Sequence, residues 1–188
     1  MKGIVFNALE AMISRRFGED YLEGVYERAG FEEDTLPFVG PATYPDQLLL
    51  DFVGAFALVS GEPADDILRR FGEFCFPKLA EIFCKTGTMP ETATEMLRAT
   101  EGEIHTEVRK LDPEAMPPLI HLEEQLGGRS LLRYQSERRL CPFFEGLLQG
   151  LANHYGCTVE FEKLSCMKSG ADACSYSVGF GDHGRHIS

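Results

Sequence analysis

Tyr134-Gln135-Ser136-Glu137-Arg138 sets two hydroxyls and a guanidinium at alternate positions. On a β-strand alternate side chains share a face, so the spacing predicts a row of hydrogen-bond donors, two neutral and one cationic. Such a row suits an anion, most naturally a carboxylate gripped by the arginine. The competing reading is the wet face of an antiparallel sheet, where polar residues alternate outward as a matter of course. The stretch follows Leu126-Gly127-Gly128-Arg129-Ser130. Its glycines can supply the positive φ angles of a hairpin turn, so Tyr134 to Arg138 reads as part of the strand leaving that turn.

His105 is the second residue able to do chemistry. Pro90 to Leu111 reads as a helix, opened by Pro90-Glu91 and closed before Asp112-Pro113. Its apolar stripe runs through Leu97, Ile104, Val108 and Leu111. His105 borders that stripe, so its imidazole is expected to face an apolar space. Gly102 lies one turn earlier on the same side, where glycine costs roughly 1 kcal/mol against alanine. Bare backbone there would let something flat approach. The bland reading is a hydrogen-bonded core histidine beside an incidental glycine.

The two features together resemble the haem nitric oxide/oxygen-binding (H-NOX) family, the haem domain shared by bacterial gas sensors and soluble guanylate cyclase. The family signature is a Tyr-x-Ser-x-Arg motif preceded by a helix histidine. Here these are Tyr134, Ser136 and Arg138, with His105 at a matching distance upstream. The resemblance covers essentially the whole chain, from Met1-Lys2-Gly3-Ile4 through Phe17-Gly18 to the glycine- and cysteine-bearing tail. It implies that His105 ligates haem iron, that Tyr134, Ser136 and Arg138 hold the propionates, and that Pro118 presses on the porphyrin. A rigid start to a strand is the other reading of Pro118.

The resemblance also implies a distal pocket, with Val5, Leu9, Phe74, Cys75, Phe143 and Leu147 as its candidates. Phe143 stands where family members that bind oxygen stably carry a tyrosine. Bound O2 draws charge from the iron and needs a hydrogen-bond donor, whereas NO bonds ferrous haem without one. Cys75 is too weak a donor to substitute. The expected protein is therefore a stand-alone bacterial sensor that binds haem b, takes NO and CO, and discriminates against O2. By resemblance, loss of the iron–His105 bond frees the His105 helix, relieves distortion against Pro118 and lets the lobes rotate. A partner must then bind the two forms differently. Family partners are histidine kinases or cyclic-di-GMP-metabolising enzymes, so two-component signalling through a separate protein is expected, and no catalysis by this chain.

Cys141, Cys166 and Cys174 resemble the thiol ligands of a structural zinc site in some bacterial members. The family's fourth ligand is a histidine three residues before the middle cysteine, and here that place is Lys163. Cys157, His183 or His186 would have to substitute. Free thiols or a disulfide are the alternatives. Cys75 and Cys84, on apolar helix faces, read as core residues.

The framework around these groups can be drawn from pattern. Helical stripes lead through Val5 to Phe17, Tyr21 to Ala29, and a segment capped by Asp46 and stopped at Gly61. A further helix begins at Pro63, carries Ile67, Phe71, Phe74 and Cys75 inward, and is expected to break or kink at Pro77. After the His105 helix the period turns strand-like at Leu119 to Glu124 and in the motif strand. Pro142 opens a helix closed at Gly156, and Thr158 to Leu164 and Ser175 to Phe180 alternate as two more strands. The expectation is α+β, a single domain spanning 1–188. A helical N-terminal lobe of about 1–60 would face a C-terminal lobe of about 61–188 with a four-stranded antiparallel sheet plus helices, haem lying between.

At 188 residues and 44% apolar the chain can bury a sizeable core. A net charge of −12 argues against nucleic acid or an anionic membrane as partner. The first residues read as no secretory signal, and Leu48 to Val59 is too short for a membrane span, so a cytoplasmic location with reduced thiols is expected. One rival is a haem-free small-molecule-binding module, since Cys166, Gly170 and Cys174 are similar to the vinyl-reductase-type ligand-binding domains. Another is a haem peroxidase or oxygenase, which would need distal acid–base groups that the apolar candidates do not supply.

Overall fold

A computed structural model describes residues 1–31, 35–84, 89–111, 115–125 and 128–182. Helices α1 (Gly3–Phe17), α2 (Glu19–Ala29) and α3 (Asp46–Ser60) match the sequence stripes closely. Gly30 and Gly61 end α2 and α3 at φ +71° in each case, the left-handed region that glycine enters without a Cβ penalty. Asp46 does not cap α3 as expected: no side-chain cap bond forms there, because its carboxylate is engaged elsewhere.

Helix α4 (Ala64–Cys84) runs through Pro77 without the break that was one of the two outcomes expected there. Proline removes one helical hydrogen bond, but α7 (Cys141–His154) holds this stretch in close packing. The two helices meet backbone to backbone through glycines. A Cβ placed on Gly72 would stand 2.1 Å from the Phe143 carbonyl oxygen, one on Gly146 1.9 Å from that of Arg69, and one on Gly150 2.6 Å from the Phe76 Cβ. No residue with a side chain fits at the first two.

The His105 segment starts later than expected, at a capping box in which Thr92 and Glu95 satisfy each other's backbone N–H groups. It then changes winding: α5 (Ala93–Ala99), a π-helical turn at Thr100–Ile104, and α6 (His105–Leu111). The extra residue in this turn rotates α6 about its axis. Leu97 is buried, Ile104 and Val108 are half-buried, and Gly102 is exposed rather than facing inward. Asp112 and Pro113, the expected stop, lie outside the described residues.

The sheet has four strands, β1 (Leu119–Glu124), β2 (Ser130–Gln135), β3 (Cys157–Ser165) and β4 (Cys174–Asp182), in the order β1-β2-β4-β3, all antiparallel. The fold is α+β, as the sequence patterns predict. Tyr134 on β2 lies directly across from Cys174 on β4.

Two buried clusters form the interior. One gathers Phe6, Leu9, Phe52 and Phe56 with Ile67, Phe71 and Cys75; the other gathers Leu132, Phe144, Leu148 and Tyr176 with Phe76, Ala80 and Phe83. Helix α4 therefore serves both. Among the described residues no helix is long and apolar enough to cross a membrane.

Candidate functional site

His105 opens α6 immediately after the π turn, and its side chain is only 13% exposed. Its Nδ1 lies 3.1 Å from Glu101 Oε2. Glu101 also accepts from the Ile120 N–H at 3.2 Å and from Arg109 at 3.3 Å. Burial pushes the imidazole below its ordinary value and outweighs the upward pull of Glu101, so the ring is neutral at pH 7. Burial also raises the Glu101 carboxyl, but bonds from His105, Ile120 and Arg109 outweigh it and hold the group below its usual range. The Pro118 backbone also pulls the ring upward, less than Glu101 does. The neutral ring has one hydrogen, and on Nδ1 it is donated to the Glu101 carboxylate, which leaves the Nε2 lone pair for a metal. Glu101 is thus the orienting partner that the sequence did not reveal. The only signal was its place four residues before His105 on one helix.

The Tyr-x-Ser-x-Arg residues come together, but not as a strand face. Strand β2 ends at Gln135, and Ser136 to Arg138 form a turn closed by the Arg139 N–H to the Ser136 carbonyl at 3.0 Å. Tyr134 is buried, with its ring stacked on Phe144 at 4.3 Å. Burial raises its hydroxyl to about 12, while a hydrogen bond to Ser136 opposes the shift. The Ser136 hydroxyl in turn accepts from the Arg138 N–H at 3.3 Å. Arg138 donates through Nε to Asp46 Oδ2 at 2.6 Å, and the Met1 amino group lies 2.8 Å from Asp46 Oδ1. The anion expected for Arg138 is therefore present as a carboxylate of α3. Burial raises the Asp46 carboxyl, but these two cations hold it below the usual range. Beside the pair is a cleft of 230 Å³ lined by Met1, Asp46, Leu49, Arg138 and Leu140.

Of the distal candidates, Val5, Leu9 and Cys75 share one buried cluster, and Phe143 packs against it with its ring 4.9 Å from Phe71. Leu79, one turn after Cys75 and not singled out by sequence, packs there too. Leu147 packs against the other cluster. Phe74 is a correction: its ring carries Arg15 at 5.8 Å and Lys78 at 5.6 Å and lines an outward cleft with Met12, Phe17 and Phe56. Burial pushes the Cys75 thiol up to about 12, which makes it a poor donor. Pro118 is half-buried beside His105. A neutral imidazole, a cation with two hydroxyls and an apolar wall are the donor set an iron porphyrin requires, so these residues fit that group.

The three cysteines converge as well. Cys141, Cys166 and Cys174 place their sulfurs within 4.8 Å of one another. Lys163 cannot complete a tetrahedron, because its Nζ lies 2.5 Å from Glu145 Oε1. Cys157, across from Asp182 in the β3–β4 pairing, is outside the cluster, and His183 and His186 lie outside the described residues. Structural zinc sites take four protein ligands in a tetrahedron, and the described residues supply three.

The haem-NO-binding family model matches residues 2–163. An H-NOX protein from S. oneidensis in the Fe(II)NO ligation state is 31% identical, with 97% of this chain and 100% of that one covered at a TM-score of 0.88. The S. oneidensis SO2144 H-NOX domain in the Fe(II)CO state is likewise 31% identical, covering 95% and 98% at a TM-score of 0.84. The unliganded Fe(II) H-NOX protein from K. algicida, at 22% identity, 98% and 99% coverage and a TM-score of 0.84, shares the fold. This chain belongs to the haem-NO-binding, or H-NOX, family.

Proposed function

We propose that this chain is a haem-based nitric oxide sensor. In this reading it holds haem b between its two cores, takes NO and CO at ferrous iron, and discriminates against O2. It would act in the cytoplasm on a separate histidine kinase or cyclic-di-GMP-metabolising enzyme, without catalysis of its own. The observation that carries the reading is His105: buried, neutral, and oriented by a carboxylate at the end of a π turn. Relatives crystallised with NO and studied with CO support the choice of gas.

Bound ferrous haem supplies an iron coordination position for a diatomic gas. His105 would donate its Nε2 lone pair from one side, with Glu101 fixing the tautomer. Arg138, Tyr134 and Ser136 offer donors to carboxylates at the edge, where Arg138 would be shared with Asp46. Val5, Leu9, Cys75 and Phe143 would exclude water and supply no acid–base group. Glu101 joins the His105 ring to the Ile120 N–H, so a displacement of His105 would be passed to β1. Such a motion signals only if a partner binds the two arrangements with different affinity.

Haem reconstitution followed by absorption spectroscopy tests the proposal. One haem per chain should be retained, the Soret band should shift on adding NO, and air should bring no durable new species. His105→Ala should lose the ligation signature, whereas an unchanged Soret band at full haem content would sink the assignment. Phe143→Tyr should gain oxygen affinity.

A further inference from the structure

Cys141 begins α7, Cys166 comes directly after β3, and Cys174 begins β4. Their Sγ–Sγ separations are 3.0 Å for Cys141–Cys174, 3.7 Å for Cys166–Cys174 and 4.0 Å for Cys166–Cys141. Sulfurs bound at about 2.3 Å to one ion stand about 3.8 Å apart in a tetrahedral arrangement and about 4.0 Å apart in a trigonal one. Two of the three separations are already at such values. The Met167 N–H points at Cys174 Sγ from 3.3 Å, a contact that favours an anionic sulfur.

A fixed charge lies near enough to this cluster for the Lys163 ammonium and the Cys141 and Cys166 thiols to act on one another electrostatically. Lys163 Nζ is held by Glu145, which is 4% exposed and also takes Arg69 Nε at 2.9 Å and the Tyr176 hydroxyl at 3.1 Å. A charged ammonium has three donors and no lone pair, so it cannot ligate. Cys141 and Cys174 are fully buried, while half-buried Cys166 leaves a way in for an ion.

We propose that Cys141, Cys166 and Cys174 form a three-coordinate thiolate site for a soft monovalent cation, Cu(I), with Lys163 as the residue that sets the preference. Thiolates are the soft donors Cu(I) selects, and a monovalent d¹⁰ ion accepts three of them without a fourth ligand. Charge acts in the same direction. Three thiolates with a monovalent ion retain two net negative charges, against one with a divalent ion. An ammonium at the same distance therefore attracts the first assembly twice as strongly. Each thiol yields its proton to solvent as the ion enters. The proposal does not depend on haem.

Anaerobic titration of the haem-loaded full-length protein tests this, with Cu(I) under bathocuproine competition and Zn(II) under competition from a chromophoric chelator. One Cu(I) per chain is expected, and X-ray absorption should count three sulfur neighbours. Cys166→Ser, at the partly exposed position, should cost roughly 10- to 100-fold in Cu(I) affinity. Lys163→His should raise zinc affinity by a similar factor while Cu(I) stays bound. Zinc held as tightly by the unaltered protein as by Lys163→His, Cu(I) binding indifferent to Cys166→Ser, or a fourth light-atom neighbour on copper would each overturn the proposal.

Discussion

The packing of α4 on α7 and the mooring of His105 are built on contrary principles. The α4–α7 wall is made of apolar groups and glycines in backbone contact, so it has one arrangement and no room for another. The imidazole wall is a short helix after a π turn, held by Glu101 through polar bonds that can be exchanged one at a time. One region is rigid, and the other hangs on a tether whose bonds can be replaced.

The contrast can be broken most severely at Gly146. Alanine there would drive a Cβ to 1.9 Å from the Arg69 carbonyl oxygen, so the helices must separate. A loss of about 3 kcal/mol is expected in urea unfolding, together with a disturbed Phe143 side. On the imidazole wall, Glu101→Gln keeps the shape but removes the charge that orients His105. Haem retention is expected to fall roughly 10-fold while unfolding changes little. If Glu101→Gln unfolds the protein as Gly146→Ala does, the two walls are not different in kind.

Acid sharpens the contrast further. Burial depresses His105 below its ordinary 6.5, so the unfolded chain takes up that proton first. This contribution is complete above pH 6.5 and is lost as pH falls below that value. Glu101, depressed from 4.5, adds stability that is present above its unfolded value and lost as pH falls through its folded one. Both therefore weaken the haem-free protein on acidification, and His105→Gln should remove the upper part of a urea-midpoint titration. The smallest effect belongs to Gly102→Ala. Nothing lies within 4 Å of an added Cβ, so the change should stabilise the haem-free chain by no more than about 1 kcal/mol.

Legibility in the sequence depended on whether the signal was local. The pairing of β1 with β2, the spans of the three amino-terminal helices and the strands β1, β3 and β4 rest on near neighbours and short-range turn chemistry and stand as read. The motif strand, by contrast, stops at Gln135, and Leu126 and Gly127 of its turn lie outside the described residues. The π turn has no composition of its own, so Gly102 was assigned to the wrong side. Phe74 shares a helix with Phe71 and Cys75, yet it lies off the line joining those two, one turn apart, and only the packed structure distinguishes the faces. Gly72 on α4 and Gly146 and Gly150 on α7 gain meaning only when the two helices pack, and Gly146 lies 74 residues after Gly72. Asp46 resembled an ordinary cap because its partner Arg138 is 92 residues away.

The continuity of α4 through Pro77 has a practical corollary for dissecting the protein. A fragment ending at Ser60 would be stripped of Ile67, Leu68, Phe71 and Cys75, which complete its oily interior. The remaining piece would carry those same side chains bare to solvent on the leading half of its first helix. Severing the chain at the α3–α4 loop should thus give two sticky, poorly folded products that regain structure only when mixed.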